Sequence, residues 1–243
     1  MDKMLKTLNA CFPLEEKPVG EFAKIKVKGM NFSIQQYYAK GLGNVSVMRA
    51  VGFFGLMKMD TLIINPAECD APLFSYDRVL AMGNDTLILE LYNTFLHEDV
   101  SEYKEQLEGI QKVNEAHKSL PDHDLGSHWY DGIKLRESAS KKGKKKDSPS
   151  FDVMAQEYFK AYVESAKISE KLEESDGEMN SKENAKEIKD TATCAKTMKM
   201  QKASVYVEGL LSNGGPSTDI FKQYYGEEKT ADLFRKILFG TEA

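Results

Sequence analysis

The chain contains little cysteine, with three residues in 243. Cys11, Cys69 and Cys194 lie far apart, are odd in number and include no Cys-x-x-Cys pair. A disulfide framework needs an even set of cysteines, and a structural zinc site needs ligands grouped at short spacing. We therefore expect buried or incidental thiols, and neither a disulfide framework nor a zinc site.

Long apolar runs are also missing. No stretch approaches the roughly 20 residues that span a bilayer, and Met1–Lys17 lacks the continuous apolar core of a signal peptide. The composition, 41% hydrophobic and 29% charged, is that of an ordinary soluble protein. We expect a cytoplasmic protein in which residues 1–243 form one domain with its own core, although the length would permit two domains.

Motifs that bind common cofactors are absent. There is no GxGxxG between a strand and a helix, no GxxxxGK[ST] and no HExxH. His97, His117, His123 and His128 cluster in one third of the chain, but their spacings fit no metal site and favour surface histidines. We expect no nucleotide, flavin or metal held by the protein itself, so a redox enzyme with this sequence would take its electrons from elsewhere.

Positive charge is sparse except in one segment. The formal net charge of -5 argues against a nucleic-acid binder, because phosphate contact needs a concentrated positive field. Five of the six residues from Lys141 to Lys146 are lysines, with serines and a proline close by. This composition predicts a mobile surface loop over 138–150, and such a loop could also serve as a docking patch for an acidic partner protein.

The first half of the chain has the pattern of β-strands separated by glycine, proline or Asn-Asp turns. The predicted strands are Phe22–Lys28, Asn31–Tyr38, Asn44–Gly52, Met57–Ile64, Phe74–Leu80 and Thr86–Asn93. Their short connections indicate an antiparallel meander. The last strand carries apolar side chains on both faces, so we expect helices on both sides of the sheet.

The second half of the chain changes to a helical period. We predict helices from Val100 to near Ser119, over Phe151–Leu172, through Met198 to Leu211, and over Ile220–Tyr225 and Thr230–Phe239, with a further strand at His128–Leu135 and an exposed turn early in Glu173–Lys189. The run Asn213-Gly214-Gly215-Pro216 is a strong helix stop, and Gly226 predicts a break between the last two helices.

Two acids stand inside strands that otherwise look buried. Asp60 interrupts the apolar run that ends at Ile64, and Asp77 lies within Phe74–Leu80. A hairpin centred near residues 68 and 69 would set these two acids opposite each other on one face, about 5 Å apart at Cβ. Such a pair would not ionise freely and would hold a proton near neutral pH. The alternative is that each acid lies at a strand end or edge and faces water.

Three segments of the chain have specific sequence patterns that occur in a fixed order. The block Asn65–Asp77, NPAECDAPLFSYD, is similar to the FPRPxxDLPxFGxD stretch of the ferredoxin-dependent bilin reductase family. Leu120-Pro121 and the residues Trp129–Ser138 resemble its LPEWG segment and the strand that follows. Phe221–Glu228, followed by Phe234 through Phe239, resembles its closing helices. The resemblance covers most of the chain from Asn44 to Phe239, with the segments in the same order.

The resemblance implies an α/β (α+β) fold, a three-layer α/β/α sandwich with a central antiparallel sheet. It implies that an open-chain tetrapyrrole such as biliverdin binds between the sheet and the C-terminal helices. Enzymes of this family carry no flavin or nicotinamide, receive single electrons from reduced ferredoxin and take protons from side chains. The more distant red chlorophyll catabolite reductases in the same superfamily act on other tetrapyrroles, so the resemblance does not fix the substrate.

The resemblance also assigns residues. Asp77 matches the family's central proton-donating acid, Thr86 a hydroxyl residue near the substrate, and Lys118 a basic residue that pairs with a propionate, though without an arginine's bidentate fork. Asp60 stands where well-studied members carry a histidine that acts with the aspartate, so a proton relay would run through two carboxyl groups. The family's C-terminal aspartate has no match, because Asn213-Gly214-Gly215 occupies that region; we keep Asn213 as a substrate-binding candidate.

Three hypotheses about function remain open. The first is a ferredoxin-dependent reductase of a linear tetrapyrrole, with Asp77 and Asp60 as its catalytic acids and ferredoxin or a similar acidic carrier as its electron donor. The second is a binding or carrier protein for a haem-derived tetrapyrrole in which catalysis has been lost. The third is a likeness of fold alone, with a pocket that serves an unrelated small molecule. Retained binding with loss of reduction when Asp77 is replaced by asparagine would favour the enzyme.

Overall fold

The structure is a computed structural model that describes residues 1–169 and 182–242. The exposed turn predicted early in Glu173–Lys189 falls partly on 173–181, which lie outside the described residues, and 182–189 belong to a long helix. The last three residues of the helix predicted over Phe151–Leu172 also lie outside them, and the described helix ends at Ile168.

The described residues form eight strands and five α-helices. The strands are β1 (Leu14–Lys17), β2 (Lys24–Val27), β3 (Met30–Ala39), β4 (Gly43–Gly52), β5 (Met57–Asn65), β6 (Leu73–Ala81), β7 (Asn84–Tyr92) and β8 (Ala139–Lys144). The helices are α1 (Asp2–Cys11), α2 (Lys104–Ala116), α3 (Ser148–Ile168), α4 (Lys182–Asn213) and α5 (Pro216–Asp232), and a π-helix over Leu233–Leu238 follows α5. The six strands predicted in the first half are confirmed, with ends that differ by one or two residues at most positions.

All pairings in the sheet are antiparallel, in the order β1-β3-β4-β5-β6-β7-β8. β1 and β2 share one edge, because β1 pairs with the C-terminal half of β3 and β2 with its N-terminal half. Short hairpins join β3 to β4, β4 to β5 and β6 to β7, as the predicted meander requires. All strands from β3 to β7 therefore run side by side, and each has one face toward each helical layer.

Helices α1, α2 and α3 cover one face of the sheet. Leu87, Leu89 and Leu91 alternate along β7 toward this face, and all three are fully buried. Phe74 of β6 stacks on Tyr162 of α3 with ring centroids 4.7 Å apart. This period-two alternation against a long apolar helix is what an antiparallel strand covered by a helix should show.

Helix α4, helix α5 and the π-helix cover the opposite face. Met48 of the sheet, Val207 of α4, Phe221 of α5 and Leu238 of the π-helix belong to this second core and are buried. The single-domain three-layer α/β/α sandwich with a central antiparallel sheet is thus confirmed. The helix stop before Pro216 is also confirmed, as is the break at Gly226, whose backbone φ of 82° lies outside the helical region.

Two predicted elements are wrong. The segment 138–150, expected as a mobile lysine-rich loop, instead holds the edge strand β8 and the start of α3. Alternation explains this strand, because Lys141 points inward, is 6% exposed and donates to Leu120 O and Asp122 Oδ1, whereas Lys142 and Lys144 point outward. The strand predicted at His128–Leu135 is a 3₁₀ turn over Trp129–Gly132.

Candidate active site

A cavity of about 420 Å³ lies between the sheet and the C-terminal helices. Strands β4 to β7 form its floor, the 128–130 segment and α4 form one wall, and the α4–α5 connection and the C-terminal residues close it. The described lining residues are Met48, Thr61, Ile63, Ser75, Asp77, Glu90, Tyr92, Ser127, His128, Trp129, Tyr130, Tyr206, Leu210, Asn213, Gly214, Gly215, Ser217, Thr218, Phe234, Leu238 and Phe239. Its volume falls within the range of about 300–1,000 Å³ that is typical of small-molecule sites.

Asp77 projects from β6 into the floor of this cavity. Thr61, directly opposite on β5, donates its hydroxyl to Asp77 Oδ1. Ser75 Oγ, two residues earlier on the same face, lies 3.5 Å from Asp77 Oδ2. Two hydroxyl groups of the sheet therefore hold the Asp77 carboxyl group, and the side of this group that faces the cavity remains open to a ligand.

The environment of Asp77 raises its pKa from the usual 3.8 to about 6. Burial is the largest cause, and the negative charge of Glu90 adds to it. The hydroxyl groups of Thr61 and Ser75 act in the opposite direction, because they bond to the ionised form. A carboxyl group with a pKa near 6 can both release and regain a proton close to neutral pH.

Glu90 is the second acid in the cavity. It stands on β7 opposite Ser75, so it lies diagonal to Asp77 on the same face of the sheet. Tyr92 Oη donates to Glu90 Oε2 at 2.6 Å. Among the described residues, Glu90 Oε1 is buried and accepts no hydrogen bond, and Lys134 Nζ is 3.7 Å away. A carboxylate oxygen is thus available for a donor from a bound molecule.

Aromatic rings form the wall beside the two acids. Tyr92 and Tyr206 pack with ring centroids 4.2 Å apart, and Trp129 lies 5.7 Å from Tyr206. Trp129 reaches α4 at Gly209, where an added Cβ would approach the indole ring to 2.0 Å. Glycine at this position therefore lets the indole pack directly on the helix backbone. The result is an apolar surface of aromatic rings, which suits a conjugated ligand.

His128 lines the cavity next to this wall. Its imidazole stacks on Tyr130, with ring centroids 4.8 Å apart and planes inclined by 10°. The prediction of scattered surface histidines is therefore wrong for this residue, because the 3₁₀ turn that begins at Trp129 brings it to the cavity. The cavity therefore contains an imidazole side chain beside its two acids.

The pairing predicted for Asp60 and Asp77 is wrong. The hairpin register sets Asp60 opposite Arg78, and Thr61 opposite Asp77. A shift of one residue sends every side chain of a strand to the other face, so Asp60 points toward the layer of α1 to α3. There it lies in a row between Arg49 and Arg78. Asp60 is therefore not part of the cavity that contains Asp77.

The substrate-binding candidates lie at different distances from the cavity. Asn213 lines the cavity at the end of α4, where its side chain donates to Gly209 O at 2.8 Å. Thr86 shares the sheet face with Asp77 but lies on β7 outside the lining. Lys118 follows α2 in the opposite helical layer, exposes 71% of its side chain and pairs with Glu115. The prediction that Lys118 contacts a ligand in this cavity is therefore wrong.

Glu90 and His128 are the cavity residues that sequence reasoning missed. The signal for Glu90 was present, because it alternates with three leucines on a strand and shares a face with Tyr92. No such signal marked His128, which sits in an irregular segment whose path depends on packing against α4. The described residues contain no group of His, Cys, Asp and Glu that could hold a metal ion. Nor does any helix among them have the length and apolarity needed to cross a membrane.

No protein-family model matches this sequence, and no curated protein matches it. Among solved structures, the fold is similar to phytochromobilin synthase from tomato, whose crystal structure contains biliverdin. The TM-score is 0.74, and the match covers 99% of this chain and 81% of the tomato protein at 14% sequence identity. A likeness at this identity is one of fold. The chain therefore has the three-layer fold of a bilin reductase, as its resemblance to that family implies.

Proposed function

We propose that the cavity binds a linear tetrapyrrole such as biliverdin and that Asp77 protonates it during reduction. The position of Asp77 carries this proposal, because it places a carboxyl group with a pKa near 6 on the floor of a cavity in a fold that binds biliverdin in the tomato enzyme. Reduction of a double bond consumes protons as well as electrons, so a positioned proton donor is the group such a cavity needs.

The aromatic wall and the acids make different contacts with the bilin, stacking contacts in one case and hydrogen bonds in the other. A bilin is a planar conjugated molecule with pyrrole N–H donors along one edge. The rings of Tyr206 and Trp129 offer stacking surface, and the carboxylates of Asp77 and Glu90 accept hydrogen bonds from such donors. The imidazole of His128 lines the same cavity and can form a hydrogen bond with the ligand.

The electrons are assigned to an external one-electron carrier such as reduced ferredoxin. The sequence contains no motif for a nicotinamide or flavin, and the described residues form no metal-binding cluster. Exposed lysines at positions 142, 144, 145 and 146 give one side of the sheet a positive charge that would steer an acidic carrier.

A two-step experiment tests the proposal. Biliverdin added to the protein should shift and intensify its visible absorption band, and addition of reduced ferredoxin under anaerobic conditions should then change the spectrum to that of a reduced bilin. Asp77→Asn should keep the first change and lose the second by about 10²- to 10⁴-fold in rate, the usual contribution of a general acid. Asp60→Asn is the matched control and should leave both changes intact, because Asp60 faces the other layer.

A second candidate function is binding without reduction. The position of Asp60 favours it, because the two-carboxyl relay that the resemblance implies does not form in this structure. This function predicts the first spectral change without the second in the unaltered protein, also with chemically reduced ferredoxin in excess. No spectral change on addition of biliverdin would reject both functions.

A further inference from the structure

The hairpin tips at one end of the sheet expose large apolar side chains. Phe53, Phe54 and Leu56 lie in the turn between β4 and β5, and Met82 lies in the turn between β6 and β7. Their exposed fractions are 55% for Phe53, 68% for Leu56 and 88% for Met82, and Phe54 is fully exposed. We call these four residues the apolar tips. Scattered single apolar residues are common on protein surfaces, but a group of four at adjacent turns needs an explanation.

The two turns form one surface. The N–H of Met82 approaches Leu56 O at 3.5 Å, so the turn after β4 and the turn after β6 lie side by side. The turn between β2 and β3 adjoins them, because Gly29 O lies close to Gly52 at the start of the first turn. The apolar tips therefore form a continuous ridge along this end of the sheet.

The backbone at the apolar tips is held in a conformation that suits glycine. Phe53, Phe54 and Met82 have φ angles of 50°, 57° and 51°. Side chains other than glycine, asparagine and aspartate adopt this left-handed region at a cost in free energy. A chain that only needed to turn here would do so more easily with glycine. Bulky side chains at these positions therefore cost conformational free energy, and because they point into solvent they contribute nothing to the core.

Lysines flank the apolar tips on both sides. Lys144, Lys145 and Lys146 are exposed next to the second turn, where the N–H of Lys145 donates to Gly83 O at 3.0 Å. Lys28 is exposed in the adjoining β2–β3 turn, and Lys58 is exposed at the start of β5.

Two acids lie on the same elements. Asp85 is fully buried against Arg78, whereas Asp147 is partly exposed and accepts the backbone N–H of Lys144. Five exposed lysines, at positions 28, 58, 144, 145 and 146, against this one partly exposed acid leave the rim of the apolar tips with a net positive charge.

We infer that the apolar tips are a docking surface for an anionic lipid bilayer. Protruding aromatic and aliphatic side chains enter the boundary between headgroups and acyl chains, and surrounding lysines pair with anionic headgroups. The surface presents both features, with exposed lysines on either side of the apolar side chains. The proposal is independent of the bilin cavity, whose lining includes none of these residues, and it shares Lys144, Lys145 and Lys146 with the surface proposed to steer an acidic carrier.

Vesicle flotation of the full chain tests this inference. The protein should float with vesicles of equal parts phosphatidylcholine and phosphatidylserine, should not float with pure phosphatidylcholine vesicles, and should bind less as salt is added. Phe54→Asn should weaken binding roughly tenfold or more, because it removes one inserted ring. Asparagine also tolerates the left-handed backbone, so the fold is preserved. Lys145→Gln should weaken binding about fivefold.

The controls are an exposed apolar residue and an exposed lysine elsewhere. Ile168→Asn at the end of α3, where 67% of the residue is exposed, and Lys112→Gln on α2 should leave vesicle binding unchanged. All four variants should bind biliverdin as the unaltered protein does. Absence of vesicle binding, or equal losses in Phe54→Asn and Ile168→Asn, would overturn the inference. A protein partner in place of a membrane would also overturn it. In that case vesicle binding would be absent, and Phe54→Asn would instead disperse a dimer or abolish binding to ferredoxin.

Discussion

Replacement of Asp77 by asparagine should stabilise the fold above about pH 6. The structure raises the pKa of this carboxyl from 3.8 to about 6, mainly through burial, so the folded state holds the proton more tightly than the unfolded state does. Stability of the unaltered protein must then fall as the pH rises from 3.8 toward 6, and the full penalty is present above that range. Asparagine carries no titrating group and escapes this penalty.

The size of the effect follows from the shift in pKa. The pKa rises from 3.8 to about 6, and because a tenfold change in proton affinity corresponds to 1.36 kcal/mol, the penalty is about 3 kcal/mol. Asp77 opens into the cavity, where solvent screens part of this cost, so we expect about 1–3 kcal/mol. Each kcal/mol should raise the melting temperature by about 2–4 °C in a protein of this size. Asparagine can still accept the hydroxyl of Thr61, so the local hydrogen bond is kept.

Urea denaturation followed by circular dichroism between pH 4 and pH 8 measures this difference. The two proteins should have similar stability near pH 4, and Asp77→Asn should become the more stable as the pH rises from 4 to 6, with a constant difference above that range. Asp60→Asn is the control: it removes a carboxyl group from the other face of the sheet and leaves Asp77 in place, so this variant should keep the loss of stability between pH 4 and pH 6. Parallel curves for Asp77→Asn and the unaltered protein, or a variant that is less stable at pH 8, would refute the assigned environment of Asp77.

Two further substitutions test other contacts. Glu90→Gln should lower the pKa of Asp77 from about 6 toward its usual value, because it removes a negative charge from the cavity. The chemical shift of the Asp77 carboxyl carbon, measured against pH, should report this change. An unchanged titration of Asp77 would contradict the conclusion that the two acids share a cavity. Lys199→Ala should cost about 3–5 kcal/mol in urea denaturation, because Lys199 is 1% exposed and leaves Asp70 buried without its cation. Lys196→Ala on the same helix, 49% exposed at its side chain, should cost at most about 1 kcal/mol, and equal losses would refute the distinction.

The strands could be located from the sequence because their signals are local. Alternating apolar residues and glycine or proline turns mark β3 to β7, and the structure confirms those five together with the antiparallel meander. The edge strand β8 could not be recognised from the sequence, because a run of lysines is typical of a solvated loop. Lys141 is buried only because the tertiary fold places Leu120 O and Asp122 beside its ammonium group.

The residues of the cavity were predicted only in part, because the sequence did not reveal the pairing register of β5 and β6. Asp77 was located correctly on an apolar strand, but the hairpin centre was misplaced by half a residue, which exchanged Thr61 for Asp60. Turn geometry sets that register, and the long Asn65–Leu73 connection gives no clear turn signal. Glu90 and His128 reach the cavity through strand pairing and chain packing that no single segment specifies.

Titration of the protein with biliverdin tests the central claim most directly. Trp129, the only tryptophan in the chain, lines the cavity, so its fluorescence should be quenched as the visible band of the bilin shifts. Both signals should saturate together at one bilin per chain. Ser75→Phe, which places a ring on the cavity floor beside Asp77, should abolish both. Unchanged spectra in the unaltered protein, or saturation that Ser75→Phe does not affect, would contradict a bilin site in this cavity.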